Sequence, residues 1–408
     1  MLESDADIAR PPLKAPAAAA SSASDEATRA SFGGLKIPLA VWLLLLSLAL
    51  GIGHGLAAGE LVAAVSAGFG SALGEYALIL LPSFVIAFAL ERSVAAVPDW
   101  LAPLAAPVAG AAMMCPDTAY AALGPMTERR KLSVLFGAYA GFKLLVPAGP
   151  LIVAAGLHAN DSRLPFLTLP AFLAAWLTGL LVARTSAFAG EVQRRPSRFP
   201  LTQLSPLFLL ATLLALGYLL GGRAGRMPSL VSFAVSPKGA LLAAAALALA
   251  AGSAETRAQA VQSAVSRTAP LLLTIGAASA FGTMLVLALP VARLASFLPG
   301  SGLVLPALFV ATALFKTAKG SSMATFAGTT GIVAAILPTL GVAPAAAVLA
   351  MCAGAFVTIA PNDSLYWIVK ADAGESCPRL GRILAAGAAL QGIAAFLVVE
   401  LMDQFRLF

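Results

Sequence analysis

Apolar residues fall in long blocks. They occupy 37–56, 74–91, 131–157, 164–184, 204–221, 238–252, 269–290, 343–369 and 383–402, with short polar stretches between. A helix needs about 20 apolar residues to cross the hydrocarbon core, so each block predicts a membrane span. Two further apolar stretches do not fit one or two crossings. The first is 99–125, DWLAPLAAPVAGAAMMCPDTAYAALGP, and the second is 303–338, LVLPALFVATALFKTAKGSSMATFAGTTGIVAAILP. Each has a polar, helix-breaking centre, CPDT in one and KGSS in the other. Two short arms around a polar tip predict a re-entrant hairpin, which is tolerated at membrane depth where protein or a wet cavity surrounds it.

The pattern repeats. Residues 73–184 read as span, hairpin, span, span, and residues 268–403 read the same way with opposite orientation. Inverted repeats with broken elements predict a secondary transporter whose site lies near the midplane, where the repeats meet. The expected fold class is an all-α polytopic membrane protein, an inverted-repeat transporter with two re-entrant hairpins and two broken helices. The remaining segments are a disordered tail over 1–34, a first membrane helix and interfacial segment over 35–72, and a linker with two connecting membrane helices over 185–267.

Composition agrees with this reading. Of the 408 residues, 60% are hydrophobic and 11% are charged, against about 45–50% and about 25% in soluble domains. The tail, Ala- and Ser-rich without an apolar period, lacks the basic n-region of a signal peptide. The net charge of +7 sits in short loops and reports topology, with no nucleic-acid partner implied. With the N-terminus in the cytoplasm, 17 of the 26 Lys and Arg lie inside, 6 lie outside and 3 are within the membrane. The expected location is a bacterial inner membrane, with lipid as a partner. Cys115, Cys352 and Cys377 suggest neither a disulfide framework nor a metal site.

Five ionisable residues fall inside apolar sequence: Asp117, Lys143, Lys316, Lys319 and Asp363. A charge at the bilayer centre costs about 2.5–3.5 kcal/mol on insertion scales, so each needs a reason. Snorkelling or structural pairing is the ordinary explanation. It suits Lys143 and Lys316 better than the three residues at helix breaks. At the first tip, Cys115-Pro116-Asp117-Thr118, Asp117 either caps the following helix or binds a coupling cation with Thr118 beside it. At the second, Lys319 and the amides and hydroxyls of Gly320, Ser321, Ser322 and Thr325 predict an anion site at a helix start. Two spans are also broken, one by Pro147, Gly149 and Pro150 and the other by Pro361, Asn362, Asp363 and Ser364. Four such elements converge on one substrate site, with Asp117 and Asp363 as candidates for the coupling ion.

These motifs resemble the gluconate permease family of the ion transporter superfamily. APLLLTIGAASAFGTMLV followed by FKTAKGSSMAT is similar to that family's span and hairpin, and APNDSLYWIVK to its Asn-Asp-Ser motif. CPDTAYAALGPM and VPAGP are fainter matches in the first half. The resemblance implies proton-coupled uptake of sugar acids or other small hydroxy-carboxylates, a homodimer and an elevator motion. It implies functional positions at Asp117, 147–150, Gly320 to Ser322 and Asn362 to Ser364, with no cofactor beyond a coupling proton or sodium ion. Ala148 and Ala360-Pro361 stand where the family usually holds a His, and Lys319 where it usually holds an amide. Two other functions compete. An organic-anion channel would also use polar hairpins. An intramembrane aspartyl protease would use Asp117 and Asp363, but neither lies in a Gly-x-Gly-Asp context. No Gly-x-Ser-x-Gly occurs for a serine hydrolase.

Overall fold

In the computed structural model the apolar blocks are helices. The described residues are 29–32, 35–71, 73–91, 99–124, 127, 130–159, 161, 163–185, 205–220, 228–288, 302–373 and 379–408. A short antiparallel ribbon comes first, β1 (Arg29–Phe32) paired with β2 (Leu35–Pro38). The end of the expected tail is therefore paired, while residues 1–28, 33 and 34 lie outside the described residues. Pro38 holds extended backbone at φ −56° and ψ 142°, so α1 (Leu39–Gly53) begins two residues after the expected Ile37. α2 (Ala58–Ser71) follows.

The first repeat is α3 (Leu73–Glu91), a hairpin of α4 (Ala102–Ala112) and α5 (Pro116–Leu123), a broken helix α6 (Lys131–Leu144) and α7 (Gly149–Gly156), then α8 (Leu164–Thr185). Three connecting helices come next, α9 (Ser205–Leu220), α10 (Ser229–Ala234) and α11 (Pro237–Ala250). The second repeat has the same order. It comprises α12 (Ala254–Ala288), a hairpin of α13 (Val304–Lys319) and α14 (Ser322–Leu340), a broken helix α15 (Pro344–Gly354) and α16 (Ser364–Ala373), and α17 (Leu380–Gln404).

Each interruption has a local cause. Met114 adopts φ +53° and Pro116 opens α5, where a missing amide costs nothing. Pro147 follows a cis peptide bond and Pro150 lies in the first turn of α7. Gly320 turns the second hairpin at φ +75°. Pro361 lies in the non-helical stretch between α15 and α16.

One helix departs from expectation. Residues 289 and 290 of the block at 269–290 lie outside the described residues, and 269–288 are the second half of the 35-residue α12. Its first half carries Glu255, Arg257, Gln259, Gln262 and Arg267, so it forms no apolar block. Ala, Glu, Arg and Gln nevertheless favour helix.

Two bodies are visible in the packing. In one, α4 lies on α6, α6 on α8, α8 on α17, α17 on α15 and α15 on α13. Backbones nearly touch there: a Cβ added at Gly141 would meet the Pro107 carbonyl at 1.9 Å. Buried Gln391 on α17 donates to the carbonyls of Phe136 and Ala175, both at 3.0 Å, tying three helices together. In the other body, α12 packs on α1, α2 and α3, α11 on α3, and α9 on α11. α14 lies between them, packed along α12 through a seam of Ser279, Gly282 and Gly331. Among the described residues, 131–156, 164–185, 254–288, 322–340 and 380–404 are long and apolar enough to cross a membrane. The 11-residue α4 spans only about 16 Å at 1.5 Å per residue, too short for a crossing.

Candidate functional site

The four interruptions meet, and each brings a charge or a hydroxyl. Asp117 stands in the first turn of α5, and its Oδ2 accepts a hydrogen bond from the Ser364 hydroxyl at the start of α16. Asp363 is buried. Its Oδ2 lies 2.5 Å from Lys316 Nζ, and its Oδ1 accepts the Leu365 amide at 3.1 Å. One carboxylate thus pairs with the second hairpin and caps the helix that follows the break.

Lys316 lies in the last turn of α13 and is fully buried. Lys143 occupies the same place in α6 and is also fully buried. Its Nζ donates to Ser322 Oγ and to the Ala355 carbonyl, both at 2.5 Å. It sits 4.0 Å from the centre of the Tyr139 ring, a cation–π contact that offsets part of the lost hydration. Tyr139 in turn donates to the Phe356 and Thr358 carbonyls, both at 3.2 Å. The break between α15 and α16 frees those carbonyls, and a buried carbonyl without a partner is costly.

Asp117 lies within electrostatic reach of Asp363 and Lys316, and Lys143 within reach of all three. The four charges therefore form one cluster. Two are acidic and two basic, so in their ordinary ionised forms they sum to zero. Snorkelling explains neither buried lysine, because both heads turn inward to named partners.

The other expected residues lie at the same tips and breaks. Lys319 is half-buried and, among the described residues, has no hydrogen bond or ion pair. Gly320 lies against the second break: a Cβ there would sit 2.0 Å from the Asn362 carbonyl. Asn362 is exposed, and its Nδ2 donates to the Thr317 carbonyl at 2.8 Å, closing the end of α13. Ser321 caps α14, accepting the Ala324 amide at 3.3 Å. Thr325 Oγ1 donates to the Ser321 carbonyl at 2.8 Å. Cys115 and Thr118 flank Asp117, both part-buried. Pro147 and Gly149 contribute backbone shape: a Cβ at Gly149 would lie 2.9 Å from the Phe142 and Lys143 carbonyls.

Sequence reasoning left both buried lysines out of the site, although a signal was present. Lys143 lies four residues before Pro147, and Lys316 four before Gly320, so each is one turn upstream of a break. Lys131, at the start of the 131–157 block, is one of the 17 Lys and Arg read as lying on the cytoplasmic side. Lys131 is fully buried, with Nζ 2.5 Å from Asp372 Oδ1. Tyr120 donates to the other oxygen of Asp372 at 2.7 Å. This second cluster joins α5, α6 and α16 at the far end of α6 from Lys143.

Apolar helices with a recurring hairpin and broken helix, closed around a buried charge cluster, make a multi-pass membrane protein. Residues 224–402 match the family model for the GntP family permease, so the gluconate permease resemblance seen in the second-half motifs holds over that span. The fold is similar to the Alcanivorax borkumensis YdaH transporter, described as having an unusual topology. The TM-score is 0.67 at 16% identity, covering 90% of this chain and 98% of that one. It is also similar to Neisseria gonorrhoeae MtrF, described within a class of antimetabolite efflux pumps, with TM-score 0.60, 16% identity and coverage of 90% and 95%. Among curated proteins, no sequence match to this chain is found.

Proposed function

We propose that the protein is a proton-coupled symporter of a small organic anion, a sugar acid or other hydroxy-carboxylate. It would work as an elevator in a homodimer of the bacterial inner membrane, with the N-terminus cytoplasmic and both hairpins re-entrant. The observation that carries this reading is the buried grouping of two acids, Asp117 and Asp363, with two bases, Lys143 and Lys316, whose ordinary ionised charges sum to zero. A carboxylate entering it adds an uncompensated negative charge to a low-dielectric interior, which is costly. A proton or cation arriving with the substrate removes that cost, and this is what couples the two. Lys143 and Lys316, with the Ser322 hydroxyl beside Lys143, are the groups that would hold the anion, and Asp117 and Asp363 are the acids able to take the coupling ion. Lys319, without an ion pair among the described residues, stands beside the tip as a cation for a second carboxylate.

The packing supports an elevator. Both hairpin tips and both breaks meet at the cluster, and the seam of small residues between α12 and α14 offers a smooth face along which one body can slide. The test is uptake into proteoliposomes, with thermal stabilisation of the purified protein across a panel of small carboxylates, with and without sodium, at two pH values. A ligand that binds the folded state raises apparent stability by mass action. Saturable accumulation of one carboxylate class, driven by an inward proton gradient and indifferent to sodium, is expected. Accumulation driven by sodium alone would replace the proton. Non-saturable flux without accumulation would mean a channel.

A further inference from the structure

A groove of about 460 Å³ lies between the end of α8 and the start of α17, away from the charge cluster. Its walls include Val182, Ile383, Ala386 and Leu390, together with Arg379 and Arg382. The polar and apolar walls are segregated along the helices. Thr185 is the last residue of α8, Arg379 is the N-cap of α17 and Arg382 lies in its first turn. Ala386 and Leu390 follow at successive turns, deeper along the helix. Among the described residues, neither guanidinium has an ion pair or hydrogen-bond partner. The apolar walls continue into exposed membrane-facing side chains, with Leu181 on α8 at 60% exposure and Leu390 on α17 at 48%.

We propose that this groove binds an anionic phospholipid, with its phosphate held by Arg379 and Arg382 and an acyl chain lying along Ile383, Ala386 and Leu390. The proposal rests on the membrane reading above, which puts this end of both helices at the cytoplasmic surface. Basic pockets between helices on that side suit lipid head groups, because the charge meets the phosphate where the apolar walls meet the chain. A free phosphate would satisfy the arginines but leave the apolar walls wet. Gln391, which ties α17 to α6 and α8, follows Leu390 directly. A lipid in the groove would therefore brace the joint that holds the moving body together.

The test measures lipid binding to the full-length protein, so it can fail while transport persists. The purified protein is titrated with mixed micelles containing phosphatidylglycerol, with micelles containing phosphatidylcholine and with inorganic phosphate, reading thermal stability and lipid retained by native mass spectrometry. Phosphatidylglycerol is expected to stabilise and be retained over phosphatidylcholine. The Arg379→Ala/Arg382→Ala variant is expected to bind it about 25-fold more weakly, at about fivefold per arginine near an anionic surface. Ala386→Phe, which keeps both arginines and fills the groove, is expected to lose retention as well. Unchanged phosphatidylglycerol binding in both variants would overturn the proposal, as would equal stabilisation by phosphatidylcholine. Equal stabilisation by inorganic phosphate would overturn it in favour of a soluble anion. A change from dimer to monomer in the double variant, with lipid retention unaltered, would overturn it in favour of a second copy of this chain.

Discussion

The two repeats use the same elements with opposite charges. In the first, the hairpin tip carries the acid, Asp117, and the broken helix carries the base, Lys143. In the second, the hairpin carries the base, Lys316, and the broken helix the acid, Asp363. Their partners differ as well. Lys316 finds a full counter-charge within its own repeat, at 2.5 Å. Lys143 finds neutral oxygens, and both belong to the other repeat. Asp117 likewise depends on a hydroxyl across the repeat boundary. The second repeat is therefore electrostatically self-sufficient, whereas the first is completed only when the second docks against it.

The comparison can be broken most severely at the ion pair. Asp363→Asn leaves Lys316 buried beside a neutral amide. Losing one partner of a buried pair costs about 3–5 kcal/mol, so a large drop in thermal stability and background uptake are expected. The double variant Lys316→Met/Asp363→Leu should regain most of the stability and none of the uptake. If Asp363→Asn unfolds no earlier than wild type, the pair is not the anchor of the second repeat.

Lys143→Met comes next. It strands the Ser322 hydroxyl and the Ala355 carbonyl, at about 1–3 kcal/mol for each buried group left unsatisfied. Uptake should fall to background, with less destabilisation than Asp363→Asn because the stranded partners are neutral. Calorimetry of the two variants side by side checks the order, and a reversed order would sink the asymmetry between the repeats.

Asp117→Asn keeps a side chain able to hydrogen-bond Ser364, so stability should change by only about 1 kcal/mol. Its effect should appear in coupling. Wild-type accumulation should rise as the outside is acidified, because the proton is carried inward with the anion. The variant should exchange substrate across the membrane and ignore the pH gradient. Gradient-driven accumulation by Asp117→Asn would move the proton to Asp363.

Lys319→Ala should be mildest for stability, within about 0.5 kcal/mol, since no partner among the described residues is lost. A raised KM for dicarboxylates with little change for monocarboxylates would give Lys319 its substrate contact. Equal effects on both classes would remove it from the site.

The sequence by itself determined the elements and where they break. Block length marked the spans, and the polar centres at Cys115 to Thr118 and Lys319 to Ser322 marked both tips. Pro147, Pro150 and Pro361 marked the broken helices. These are local properties, fixed by hydropathy and by which residues can continue a helix, so they are legible in a string. The 35-residue α12 escaped because its first half is held in helix by propensity and packing, with no apolar block to announce it. The tertiary structure decided who meets whom. Lys143 could have snorkelled, since nothing within α6 supplies its oxygens; they come from Ser322 and Ala355, well over a hundred residues away in the chain. Lys131 reads as a cytoplasmic-side cation until Asp372 arrives from α16. Asn362 and Ser321 read as ligands, and the fold adds a helix-end contact to each, on α13 and α14. A buried charge is tolerated only beside its partner, and in this protein the partners are brought together by docking one repeat against the other.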